Sequence, residues 1–180
     1  MKYIALLRGI NISGKNKISM AELKLELEKL GYKNVFTYLN SGNVIFDANK
    51  SKEELTKEIY LMIKEKFNLD IPIYVTTALE LENIINNSPT WWGTDNKDIY
   101  DNIIFVISPT TVEEVHKVVG EASKNIDKLQ NFNNVIFWSF DLKNYRKSNW
   151  WVKTASTSIK DKITIRTANT IKKVLELCNK

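Results

Sequence analysis

Residues 8–17, Arg-Gly-Ile-Asn-Ile-Ser-Gly-Lys-Asn-Lys, follow directly on an apolar, strand-like run at 3–7. Gly9 and Gly14 let the backbone turn and aim its N–H groups outward, while Arg8, Lys15 and Lys17 favour an anionic visitor. The combination suits a phosphate or a carboxylate. A second polar cluster, Asn40-Ser41-Gly42-Asn43, could add neutral hydrogen bonds, and Arg166 a second charge. The rigid fork of an arginine serves a ligand carboxylate or phosphate, and it serves a structural ion pair equally well.

The spacing Gly9-x-x-x-x-Gly14-Lys15 matches the first part of a phosphate-binding P-loop, with residues 44–47 in the place of its aspartate strand. Three features oppose that reading. Asn16 stands where Mg²⁺ binding wants Ser or Thr. The helix signal begins after Ser19, so no helix dipole is aimed at the would-be phosphate. The turn at 40–43 makes the next strands antiparallel neighbours, whereas P-loops sit in parallel sheets. A plainer anion nest, or an unoccupied structural loop, remains.

Other reactive residues are sparse. There is one histidine, His116, and one cysteine, Cys178, which excludes an intramolecular disulfide and leaves no Cys/His pairing for zinc. His116 reads as a surface residue, Cys178 as a small core residue, and Ser148 with Lys147 or Lys153 as base is a conceivable nucleophile. Neither a structural metal nor a tightly bound cofactor is expected. The pairs Trp91-Trp92 and Trp150-Trp151 could stack bases or plug a seam between domains; no Gly-Phe-rich signature on the central strands supports RNA binding.

The 180 residues suffice for one large domain or two small ones, and 43% apolar with 26% charged residues is ordinary for a globular protein. Apolar runs are strand-length, far short of the ~20 residues that cross a bilayer. The opening strand pattern has no cleavable-signal character, so a cytoplasmic location without membrane contact is expected. Charge is uneven: residues 1–139 carry 16 Lys and Arg against 18 acids, net −2, and residues 140–180 carry 10 against 3, net +7. The basic end is either a solvated face or a footprint for an anionic partner.

Period and punctuation give the elements that must hold these residues. A strand at 3–8 is followed by a helix opened by the capping box Ser19-x-x-Glu22, with Met20, Leu23, Leu27 and Leu30 at helical spacing and Gly31 as stop. Strands at 35–39 and 44–46 flank the 40–43 turn, whose asparagines and glycine accept positive φ. A helix capped by Ser51, a strand at 71–75 and a helix at 78–86 complete a β-α-β-β-α-β order. The second half repeats it: strand 103–107, helix 112–123 with Val112, Val115, Val118 and Val119 inward, a weak strand near 126–129, strand 135–140, helix 145–158, strand 163–166 and helix 170–178. The expected fold is α+β, two tandem ferredoxin-like (split βαβ) halves with antiparallel sheets. The first half covers residues 1–88, a linker 89–101, and the second half with the basic region 102–180.

Three segments also resemble a known family. Ala5-Leu6-Leu7-Arg8-Gly9-Ile10-Asn11 with a Gly-Lys just beyond, Met20-Ala21-Glu22-Leu23, and Tyr38-Leu39-Asn40-Ser41-Gly42-Asn43-Val44 are similar to the bacterial DUF1697 family, a domain of unknown function. Lys147-Ser148 through Lys153, and Thr164-Ile165-Arg166, extend the similarity over essentially the whole chain. Thr167 and Ala168 depart from it, standing where the family usually has Asn-Trp. The resemblance implies a duplicated ferredoxin-like architecture and no established activity.

Together these readings give one expectation: Arg8, Gly9, Asn11, Gly14, Lys15, Ser41, Gly42, Asn43 and Arg166 form a ligand site in a cleft between the halves. Its guest would be a phosphorylated metabolite or a nucleic acid. The alternatives are an enzyme acting on a phosphorylated or carboxylated small molecule, and a module that forms a homodimer through a sheet edge or tryptophan seam.

Overall fold

The computed structural model describes residues 1–180 throughout. It consists of two compact units, Met1–Glu82 with Val174–Lys180, and Asn83–Lys173. Each is α+β with a four-stranded antiparallel sheet, and each has the ferredoxin-like strand order.

In the first unit the order is β1 (Lys2–Leu7), α1 (Met20–Lys29), β2 (Lys33–Tyr38), β3 (Asn43–Asp47), α2 (Lys52–Phe67), β4 (Ile73–Thr77) and α3 (Ala78–Asn86), which runs on into the second unit. The sheet order β2-β3-β1-β4 puts β1 at the centre. Alternate residues of the strands, Tyr3, Ala5, Leu7, Val44, Phe46 and Val75, meet Leu23 and Leu27 of α1 and Leu55, Ile59 and Ile63 of α2 in one core. The opposite alternation, Ile4, Leu6, Asn43, Ile45 and Thr76, is buried too, so the strands are apolar on both faces instead of alternating. Ser51 and Glu54 form a full reciprocal capping box, whereas at α1 only Ser19 accepts, from the Glu22 amide.

The second unit follows the same order: β5 (Ile99–Val106), α4 (Val112–Val119), β6 (Asp127–Phe132), β7 (Val135–Asp141), α5 (Asn149–Ser156), β8 (Ile163–Thr167) and α6 (Ala168–Cys178), whose last turns are grouped with the first unit. Its sheet order is β6-β7-β5-β8. Ile104, Val106, Ile136, Trp138 and Ile163 pack on Val112, Val115 and Val119 of α4 and Trp150 of α5.

Several local readings need correction. β5 begins at Ile99, inside the stretch read as linker; Asp101 accepts from the Ser139 hydroxyl and the Asn102 carbonyl accepts from Trp92 Nε1 at 2.6 Å, so polar residues are satisfied within the strand region. α4 stops at Gly120, and Val118 points outward. The single helix expected at 145–158 is a 3₁₀ turn (Leu142–Lys147) and α5, separated by Ser148 in extended conformation. The hydroxyl of Ser148 accepts from the Trp151 amide at 2.9 Å and caps α5. β4 starts after Pro72, not before it. In the 39–42 turn the positive φ values belong to Leu39 (58°) and Gly42 (76°), not to the asparagines.

Candidate functional site

The sequence left open which rim of the sheet carries the 40–43 turn. Register decides it. Leu6 pairs with Asn43 and Leu7 with Ile73, so the end of β1 meets the starts of β3 and β4. Beyond the ladder the Leu7 amide donates to the Gly42 carbonyl at 2.8 Å and the Arg8 amide to the Pro72 carbonyl at 3.0 Å. Arg8, Ser41, Gly42 and Asn43 therefore share one rim of the first unit.

The 8–17 loop is anchored there by Asn11. Its Nδ2 donates to the Asn40 and Ile18 carbonyls, both at 2.9 Å, and its Oδ1 accepts from the Ile18 amide at 2.9 Å. The Asn11 amide group is thus a bracket between loop and turn. Gly42 makes the join possible: a Cβ there would lie 2.7 Å from Leu7 Cβ and 2.9 Å from Ile10 Cδ1. Asn43, fully buried, donates from Nδ2 to the Tyr38 carbonyl and the Ser41 hydroxyl.

Outward from this anchor the loop folds into a small hairpin. Ile12 and Lys15 form an antiparallel bridge, the Lys15 amide donating to the Ile12 carbonyl at 2.9 Å, with Ser13 (φ 50°) and Gly14 (φ 77°) between them. Two consecutive positive φ values are the type I′ turn that matches strand twist. The Asn11 amide donates to the Asn16 carbonyl, and Asn16 Nδ2 to the Gly9 carbonyl. The amides of Arg8, Asn11, Lys15 and Ile18 are therefore engaged within the protein, and no helix follows Lys15 directly, so this is not a P-loop cradle. What the hairpin offers is its side chains. Lys15 and Lys17 are exposed, make no ion pair, and no acidic residue precedes Glu22 in the chain. Ile12, 59% exposed, stands beside them.

Arg166 lies in the second unit, on β8, paired with Ile103 and 8% exposed. Among its contacts are the Thr164 hydroxyl and the Ile165 carbonyl, each accepting from Nη1 at 2.9 Å.

The other reactive residues are built into the structure. Ser148 donates to Asp127 Oδ1 at 2.6 Å and caps α5; it is fully buried, with no lysine at its hydroxyl. Asp127 Oδ1 also accepts from Trp138 Nε1, and Oδ2 from the Ser123 amide. His116 is half-buried, its Nε2 bonded to Asn131 Oδ1 and its ring edge-on to Trp150. Burial pushes the Cys178 thiol up to about 11, far from a thiolate at neutral pH. Trp92 and Trp150 are buried, Trp92 against Phe137, so neither pair can stack bases with both rings.

Two hollows in the second unit lie outside the site expected from the sequence. One, about 440 Å³, is lined by Thr94, Lys97, Asp101, Ala168 and Asn169 among others; the other, about 470 Å³, has Trp91, Asn125, Ser139 and Phe140 in its wall. Besides the Trp91-Trp92 pair, the sequence signal was a polar residue breaking each apolar strand, Asp101 before 103–106 and Ser139 within 135–140. No helix is long and apolar enough to cross a membrane.

Comparison with known proteins agrees with this architecture. A conserved bacterial protein, SP0830 from Streptococcus pneumoniae, has a solved structure that superposes with a TM-score of 0.86 at 29% identity over 98% of both chains. No curated protein matches the chain. The model of the family described as a protein of unknown function, DUF1697, matches residues 1–137, which include the 8–17 loop and the 39–43 turn and stop short of Arg166. With three quarters of its length matched, the chain belongs to the DUF1697 family.

Proposed function

We propose that this protein binds a phosphate-bearing ligand, a phosphorylated metabolite or a nucleic acid, through the 8–17 loop of its first unit. One observation carries the reading: Lys15 and Lys17 stand exposed and without carboxylate partners on a hairpin whose base is fixed by Asn11, Asn40 and Gly42. A loop already fixed in place need not be ordered when an anion arrives, so only the lysine side chains lose freedom. Arg8 enters the same loop at the strand end and adds a guanidinium suited to phosphate geometry.

The test is a thermal-shift and calorimetric titration with inorganic pyrophosphate and with a short single-stranded oligonucleotide. Saturable stabilisation is expected, lost in a Lys15→Ala/Lys17→Ala double variant. An oligonucleotide response that collapses steeply with salt identifies a nucleic acid as the natural class, and a stronger pyrophosphate response a metabolite. Arg166→Lys shows whether that residue serves the same ligand. If neither probe binds, or the double variant binds as the parent does, the reading fails.

A further inference from the structure

We propose that the second unit carries a separate site for a small zwitterion of the α-amino-acid class, in the hollow between the start of β5 and the start of α6. Its negative pole is Asp101. This carboxylate is only 8% exposed, and its Oδ1 accepts from the Ser139 hydroxyl. No other bond reaches it, yet no fully buried side-chain polar atom in the protein lacks a partner. The second oxygen is therefore not fully enclosed, and Asp101 is part of the wall of a hollow of about 440 Å³. A carboxylate held this way, with acceptor capacity unused, is suited to an ammonium group.

The positive pole is across the strand pair. Asn102 and Thr167 are the last β5–β8 pair, so Asp101 and Ala168, the next residue on each segment, lie at the same end of the two strands. α6 begins at Ala168, and Thr167, Ala168 and Asn169 line the hollow with Lys97. The N-terminus of this 11-residue helix carries partial positive charge, and the Thr167 hydroxyl accepts from the Thr170 amide to fix that end. An ammonium acceptor and a carboxylate acceptor one strand apart match a molecule that carries both groups on one carbon. A dicarboxylate would set a second negative charge against Asp101 and against Asp95, which also lines the hollow.

The experiment titrates the full chain with L-alanine, L-leucine and L-glutamine, using isobutylamine and isovalerate as single-charge controls. It is read by amide resonances of residues 94–101 and 167–169. At least one amino acid should perturb them saturably and bind about tenfold or more tightly than either control. Asp101→Asn keeps an oxygen for Ser139 and should melt as the parent does while losing about tenfold in affinity. Lys97→Glu should weaken the amino acid relative to isobutylamine, whose lone positive charge it favours. Lys15→Ala/Lys17→Ala should change nothing here, which separates this site from the anion loop. Absence of perturbation at millimolar amino acid, equal binding of amine and amino acid, or an unaffected Asp101→Asn variant would each overturn the proposal.

Discussion

The two units share a topology and differ in where they place polar residues. In the first, the connection from β1 to α1 runs through residues 8–19 and folds into an exposed, cationic hairpin; in the second, the equivalent connection from β5 to α4 is only residues 107–111 and contains no cation. The second unit instead holds polar groups inside: Asp127 gathers Trp138, Ser148 and Ser123, and Asp101 takes Ser139. One scaffold thus carries a feature past the C-terminal end of its central strand, the other at the N-terminal start of its own. A duplicated ferredoxin-like sheet has two ends to decorate, and the halves use opposite ones. The sheets need only an apolar interior, so their ends are free to diverge.

The contrast between an exposed cationic finger and a buried polar network can be broken by substitution. Asp127→Ala should cause the largest loss, about 3 kcal/mol in chemical denaturation, because it strands the Trp138 indole N–H and the Ser148 hydroxyl in a buried setting. A loss under about 1 kcal/mol would mean that the network is not a keystone of the second unit. Gly42→Ala should come next, at about 2 kcal/mol, since its Cβ would collide with Leu7 and Ile10. Gly14→Ala has a nearly identical φ but open space around it, and should cost about 1 kcal/mol from backbone conformation alone. Equal effects at the two glycines would contradict the picture of a packed base and a free tip.

A pH series sharpens the comparison from the first unit's side. Burial, with the Glu80 charge adding to it, pushes the Tyr74 phenol up to about 12. The neutral form is favoured in the fold, so its contribution is complete below pH 10, the ordinary value, and is lost as pH rises toward 12. Melting curves between those limits should fall less steeply for Tyr74→Phe than for the parent. The smallest expected stability change is that of Lys15→Ala/Lys17→Ala, within about 0.5 kcal/mol, as for exposed positions generally. A larger drop would mark these lysines as structural and undercut their ligand role.

Much of this was legible in the residues. Helix and strand periods gave the element order, Ser19 and Ser51 lie at real caps, and the 8–17 loop is as irregular as its glycines and asparagines require. The readings that failed did so where a distant partner intervened. The Trp150 indole, a candidate stacking surface by type, is buried because its N–H reaches the Gly120 carbonyl and its ring meets Trp138. Asn11, read as a ligand contact, also brackets the loop to a turn 29 residues away, a structural part that its type alone did not announce.

The sequence by itself determined the α+β order, the 40–43 hairpin and the cationic character of the first loop, since propensity, capping and turn chemistry act over a few residues. Only the tertiary structure decided that the end of β1 and the 39–42 turn share a rim, that Ser148 belongs to a carboxylate network rather than to a lysine, and that Asp101 faces a hollow beside α6. Those outcomes depend on strand register and on partners 21 to 38 residues apart. A shift of one residue in a strand turns every side chain to the other face, and no local pattern records that choice.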